Sequence, residues 1–214
     1  DKGALMTFVE ACRAWIAVRG RLPVAVSFLL EGEEESGSRS LGPFLETTAG
    51  ELRCDAILVC DTDMWDPSTP AITTMLRGLV GQELTITCAD RDLHSGMFGN
   101  AARNALTLMA EILASLRRPD GGVAIEGFYD GVGELPDEIR EIWSRLPFDD
   151  EAFLRDVGLS IAAGERDRRV LEQVWSRPSC EIHGIWGGYT QPGFKTVIPS
   201  QAHAKVSFRL VAGQ

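Results

Sequence analysis

The run Leu22-Pro23-Val24-Ala25-Val26-Ser27-Phe28-Leu29-Leu30 ends directly on Glu31-Gly32-Glu33-Glu34-Glu35-Ser36-Gly37-Ser38. Nine residues this apolar, without alternation, read as a strand covered on both faces, which belongs to a parallel sheet. Four carboxylates at positions 31–35 then repel one another unless a cation compensates. Open α/β sheets keep their sites at the carboxyl ends of strands. A divalent metal beside a general base explains acids in that place, and a solvated acidic turn is the plainer alternative.

The segments around this run extend the pattern. Leu5, Phe8, Val9, Cys12, Trp15 and Ile16 form an amphipathic stripe over residues 4–19. A second helix is expected near 38–48, with Leu41, Phe44 and Leu45 inward. Asp55-Ala56-Ile57-Leu58-Val59-Cys60 reads as another buried strand, ending at Asp61-Thr62-Asp63. Helix, strand, helix, strand is the rhythm of a parallel sheet.

The pattern changes near residue 78. Gly81–Cys88 alternates polar and apolar, as a half-exposed antiparallel strand does. Residues 100–117 carry the strongest helical stripe of the chain. Residues 119–150 are rich in Gly, Pro and Asp around a short helix at 136–145, with further short helices near 150–157 and 165–174. Two strands, 195–199 and 202–210, flank a tight turn at Pro199-Ser200.

The chain of 214 residues carries 31 acidic and 21 basic groups, a formal charge of −10. Such a surface suits cations and excludes nucleic acid, which needs basic patches. No apolar run approaches the ~20 residues that span a bilayer, so no membrane partner is expected. Cys12, Cys54, Cys60, Cys88 and Cys180 lack the paired spacing of a zinc-thiolate site and read as reduced buried thiols. Both ends look cut, and a central piece of a longer protein is expected.

Four constellations carry candidate chemistry. Glu34, Glu35 and Asp61 end strands that could be neighbours, and carboxylates of this kind suit Zn²⁺, Mn²⁺ or Co²⁺. One of two adjacent Glu can ligate metal while the other takes a proton. Asp61 and Asp63 compete for a ligand role, and spacing does not choose between them. His94, in Asp92-Leu93-His94-Ser95-Gly96, sits on a loop where it can donate to an oxyanion or be a plain surface residue. Asn100 is a candidate helix cap. Ser179–Tyr189, with its glycines, is either a site loop or a strand with structural glycines. Thr196 and Arg209 form the fourth, and Arg209, among apolar strand residues, calls for a carboxylate partner.

Asp1-Lys2-Gly3, LEGEEESGS at 30–38, DAILVCD at 55–61, LRG at 76–78, DLHSGMFG at 92–99, PSCEIHGI at 178–185, KTVIP at 195–199 and SFRLV at 207–211 follow one another in a specific order. That ordered set resembles the dinuclear zinc peptidase family of carnosinase-type and cytosolic nonspecific dipeptidases, glutamate carboxypeptidases, acetylornithine deacetylase and succinyl-diaminopimelate desuccinylase. The carnosinase and nonspecific dipeptidase subgroup is the most similar.

The resemblance implies an α/β plus α+β fold. Residues 1–78 would be part of a parallel-sheet catalytic domain. Residues 79–214 would be a lid and dimerisation domain with a four-stranded antiparallel sheet and two main helices. It implies two divalent metals, zinc with manganese or cobalt as alternatives. Glu35 would ligate one metal and Asp61 the other, which settles against Asp63. Glu34 matches the general base on the metal-held water, and His94 the lid histidine that polarises the oxyanion in the partner subunit's site. Thr196 and Arg209 match substrate-binding lid residues, with Arg209 facing the terminal carboxylate. The implied reaction is hydrolysis of a dipeptide amide bond by a cytoplasmic homodimer joined through the lid. A deacylase of N-acyl amino acids and a non-catalytic dimerisation module are the alternatives. The family's bridging Asp and both His ligands fall outside this chain, so the metal site is expected to be incomplete and the segment alone inactive.

Overall fold

The computed structural model describes residues 2–59, 61, 62 and 64–214. They form two compact units, Asp1–Thr74 and Met75–Gln214.

The first unit holds helix α1 (Lys2–Arg19), a 3-10 turn (Glu34–Ser36) and helix α2 (Leu41–Thr48). None of its described residues is buried. The two apolar runs expected as parallel strands do not form strands: none is present among the described residues of this unit. An apolar run becomes a strand only when its N–H and C=O groups find a ladder partner, and this unit supplies none. Ile57, Leu58 and Val59 are 80%, 78% and 81% exposed as a result. Asp1, Cys60 and the competing ligand candidate Asp63 lie outside the described residues.

The second unit contains the core. Strands β1 (Gly78–Thr87), β3 (Ser179–Gly187) and β5 (Gln201–Leu210) form an antiparallel sheet in the order β1-β5-β3. Leu79 and Ser179 both stand opposite Arg209, which fixes the register on each side. β2 (Leu93–His94) and β4 (Val197–Ile198) make a separate two-stranded ladder. The antiparallel sheet is thus three strands plus this short ladder, where four in one sheet were expected. Two-residue strands have no periodicity to read.

Along β5 the side chains alternate as a half-buried strand requires. Ala202, Ala204 and Val206 are buried, whereas Gln201, Lys205 and Arg209 are exposed. Helix α4 (Ala105–Ser115) lies on the buried face and contributes Ala105, Met109 and Leu113. The two alanines of β5 let Met109 bury itself completely. Asn104 caps α4 by accepting from the N–H groups of Leu106 (2.9 Å) and Thr107 (3.3 Å). The expected cap, Asn100, instead holds a left-handed φ of 66°. It follows a separate short helix, α3 (Ser95–Phe98), that the long apolar stripe had concealed.

The segment between α4 and β3 holds α5 (Asp137–Ser144), α6 (Asp150–Asp156) and α7 (Val170–Trp175). An ionic network ties it together. Arg168 meets Glu134 through two nitrogens at 2.5 and 2.7 Å, and Arg140 meets Glu172 at 2.6 Å. Arg177 donates to Glu165 at 2.9 Å, with both side chains 10% exposed.

Candidate functional site

The acidic loop is organised by one of its own carboxylates. Glu33 accepts from the backbone N–H of Ser40 (3.0 Å) and from its hydroxyl (3.1 Å). Its carbonyl accepts from the N–H groups of Ser36 and Ser38, both at 2.9 Å. Gly37, at φ 90°, closes the turn in a conformation that favours glycine. Glu33 is therefore occupied, and Glu34 and Glu35 stand exposed on the turn, their carboxylates without a hydrogen bond or ion pair among the described residues. Asp61 is exposed on the second unpaired run.

A divalent ion of the kind these carboxylates suggest needs several ligands gathered in one place. Among the described residues no group of three or more His, Cys, Asp or Glu side chains is placed to hold one. Glu35 and Asp61 as arranged here do not make a metal site by themselves.

The second unit shows a built arrangement. His94 ends β2 and caps α3, with the backbone N–H of Gly96 donating to its Nδ1 at 3.0 Å. Its other nitrogen, Nε2, shares a hydrogen with Thr196 Oγ1 at 3.1 Å. The two side chains come from positions 102 apart in sequence. The β2–β4 ladder brings them together, pairing His94 with Val197, and Ser95 N–H donates to the Thr196 carbonyl at 2.9 Å.

Asp92 secures the same ladder from its other side. Its carboxylate accepts the N–H of Ser200 at 2.8 Å and the hydroxyl at 3.0 Å. Those two bonds, the backbone one first, hold the Asp92 carboxyl below the usual carboxylate range, and Lys195 adds to the effect. Sequence reading gave Asp92 no role. The signal was present as an acid two positions before His94, facing a predicted turn at Ser200.

Arg209 is elsewhere. It lies near the far end of β5, roughly 26 Å of extended strand from Gln201, and is exposed. No carboxylate partner for it is found among the described residues. Its charge is felt by Arg77, whose guanidinium pKa is lowered first by burial and then by Arg209. Arg77 also donates to the Arg177 carbonyl at 3.2 Å. The structure thus joins His94 with Thr196 and sets Arg209 apart from both.

The Ser179–Tyr189 constellation resolves into sheet structure. His183 Nε2 lies 2.6 Å from Ser207 Oγ, and His203 Nδ1 lies 3.0 Å from Thr85 Oγ1. Trp186 stacks on the His203 ring, 5.3 Å between centroids. A Cβ on Gly187 would stand 2.9 Å from the Gln201 carbonyl oxygen, so that glycine serves close packing.

Comparison with known proteins agrees with this division. The profile of the peptidase dimerisation domain matches residues 74–214. A human Beta-Ala-His dipeptidase is 32% identical over 99% of this chain and 42% of its own length. A Cys-Gly metallodipeptidase of Schizosaccharomyces pombe is 31% identical over 99% of the chain and 45% of its own. Among solved structures, an M20 family metallo-carboxypeptidase of Sulfolobus solfataricus superposes with a TM-score of 0.82 at 34% identity, covering 100% of this chain and 48% of that one. Human carnosine dipeptidase 1 gives 0.74 at 32% identity, covering 99% and 45%. The chain spans less than half the length of each of these proteins. No helix among the described residues is long and apolar enough to cross a membrane. With its antiparallel sheet, its His94-bearing ladder and a dimerisation-domain match over most of its length, the chain belongs to the M20 peptidase family.

Proposed function

We propose that this chain is the central part of a metal-dependent peptidase that hydrolyses the amide bond of a dipeptide, acting as a cytoplasmic homodimer joined through the second unit. The observation that carries the reading is the His94–Thr196 pair, brought together by the β2–β4 ladder, in a chain whose relatives include Beta-Ala-His and Cys-Gly dipeptidases. The four described cysteines are all unpaired, in keeping with a reducing compartment.

Each residue has a role in this reading. Glu34, exposed and free on its turn, takes the proton of the attacking water and passes it to the leaving amine. The water oxygen bonds to the carbonyl carbon, and the C–N bond then breaks. His94 donates a hydrogen bond to the oxyanion formed between those events. Thr196 aligns the imidazole and contacts substrate. Arg209 pairs with the terminal carboxylate. Glu35 and Asp61 would each contribute one ligand to a pair of divalent ions, zinc or else manganese or cobalt, with the remaining ligands supplied by other parts of the full-length protein.

The placement of the two lid sites supports assembly across protomers. One second unit holds His94–Thr196 at the β2–β4 ladder and Arg209 near the far end of β5, so a single copy does not present both to one small dipeptide. A site served by Arg209 of one protomer and His94 of the partner subunit uses both.

The test is turnover by the full-length protein. A dipeptide should be hydrolysed faster than an N-acyl amino acid, and Glu34→Gln should abolish turnover while metal content holds. Preference for the acyl amino acid would make the protein a deacylase. No turnover of either, with a stable dimer, would leave the dimerisation module. The 214-residue chain alone is expected to be inactive.

A further inference from the structure

The amide of Gly96 does more than cap a turn. A neutral imidazole carries its proton on one nitrogen only, and the bond made by the other nitrogen selects which. An N–H donor can approach only a lone pair. Gly96 N–H points at His94 Nδ1 from 3.0 Å, so Nδ1 holds the lone pair and the proton belongs on Nε2. Nε2 is the nitrogen that faces Thr196 Oγ1 at 3.1 Å.

The absence of a side chain at position 96 is part of the same device. A Cβ built there would lie 2.9 Å from His94 Cε1, closer than real Cβ atoms come, and a tight 3.1 Å from Nδ1. Any larger residue keeps the N–H but pushes the ring away from it. Other anchors keep the N–H itself in place. Gly99 N–H donates to the Ser95 carbonyl at 2.8 Å, and Ser95 N–H to the Thr196 carbonyl at 2.9 Å.

We infer that Gly96 is a tautomer-setting positioning residue, whose amide and missing side chain together hold His94 as the Nε2–H imidazole with that proton aimed away from the backbone. Thr196 Oγ1 receives the proton at rest and keeps its direction, and an oxyanion formed in its place takes over the same donor. The value of this arrangement to turnover rests on the functional reading above; the tautomer itself does not.

The experiment is long-range proton–nitrogen correlation NMR on the 15N-labelled 214-residue chain, above the pH at which its imidazoles are protonated. The sequence has three histidines, and His94→Gln assigns the His94 ring by difference. His94 is expected to show a bare Nδ1 and a protonated Nε2. Gly96→Ala should move both ring nitrogens toward the averaged values of a freely exchanging imidazole, because only a flexible ring has to yield. Thr196→Val should leave the proton on Nε2. A proton on Nδ1 in the unmodified chain, an unchanged Gly96→Ala spectrum, or a tautomer flip in Thr196→Val would each overturn the inference. In the full-length protein, Gly96→Ala should lower kcat by up to about 10²-fold, the scale of a small misplacement of a catalytic group, with KM held. If His94→Gln leaves turnover intact, the functional reading falls while the NMR result stands.

Discussion

The Asp92 carboxylate grips Ser200 twice, at its N–H and at its hydroxyl, across 108 positions of sequence. This clamp closes the loop that carries His94 onto the turn that follows Thr196. Asp92→Ala should cost about 1 kcal/mol, the net worth of a modest exposed hydrogen-bond pair. It should disturb His94 more than it disturbs the core. Denaturant unfolding checks the first expectation, and the His94 ring resonances the second.

The same clamp sets a pH dependence. Asp92 has a lowered carboxyl pKa in the folded chain, against an ordinary value of about 3.9. Its contribution is therefore complete above the ordinary value and is lost as pH falls through the lower folded one. Asp92→Ala should differ from the unmodified chain at neutral pH, and the difference should vanish in strong acid. Thermal melts from pH 7 downward measure this.

Arg177 and Glu165 form the most enclosed ion pair of the described residues. Arg177→Met leaves Glu165, in a poorly solvated place, with only the longer contact to Arg168 at 3.7 Å, and should destabilise by up to about 3 kcal/mol. The double variant Arg177→Met/Glu165→Leu should recover most of that loss. A loss in the double variant equal to the sum of the losses in Arg177→Met and Glu165→Leu would mean the pair is not coupled.

Met109 fills the space above Ala202 and Ala204 and has no exposed surface. Met109→Ala should cost about 2–5 kcal/mol. Ala204→Leu, by overpacking beneath the same helix, should cost about 1–3 kcal/mol. Both are read from urea unfolding of the chain.

In the full-length protein, His94→Ala should lower kcat by about 10²–10³-fold, as loss of one oxyanion donor does. Arg209→Ala should act chiefly on KM, because a carboxylate contact made equally in ground and transition states is uniform binding. Co-expression of the two variants tests the arrangement across protomers. A mixed dimer should regain one working site, and the dimer should stay intact throughout.

Legibility in the sequence followed the strength of each periodic signal. α1, α4, β1 and β5 announce themselves because long elements repeat their apolar spacing several times. β2 and β4, at two residues each, have nothing to repeat, and their pairing comes from tertiary context. Asn100 reads as a cap because the apolar stripe of α4 continues back toward it in the sequence. The capping residue is Asn104, where the chain re-enters a helix after α3. The Leu22–Leu30 and Asp55–Cys60 runs read as buried strands from composition alone, yet pairing depends on neighbours that composition does not supply. His94 and Thr196 were named for the motifs they occupy. Their contact, and the parts of Asp92, Gly96 and Glu33 in shaping it and the acidic loop, depend on backbone N–H groups that no side-chain pattern reveals.

The exposed Ile57-Leu58-Val59 run carries a further consequence. With Ala56 and Cys60 it forms an uncharged, proline-free window rich in β-formers. Such a window with open backbone groups is a template for intermolecular cross-β stacking. Concentrated solutions of this chain should therefore self-associate through its first unit into fibrillar aggregates. A charged substitution at Leu58 is the most direct way to keep it dispersed.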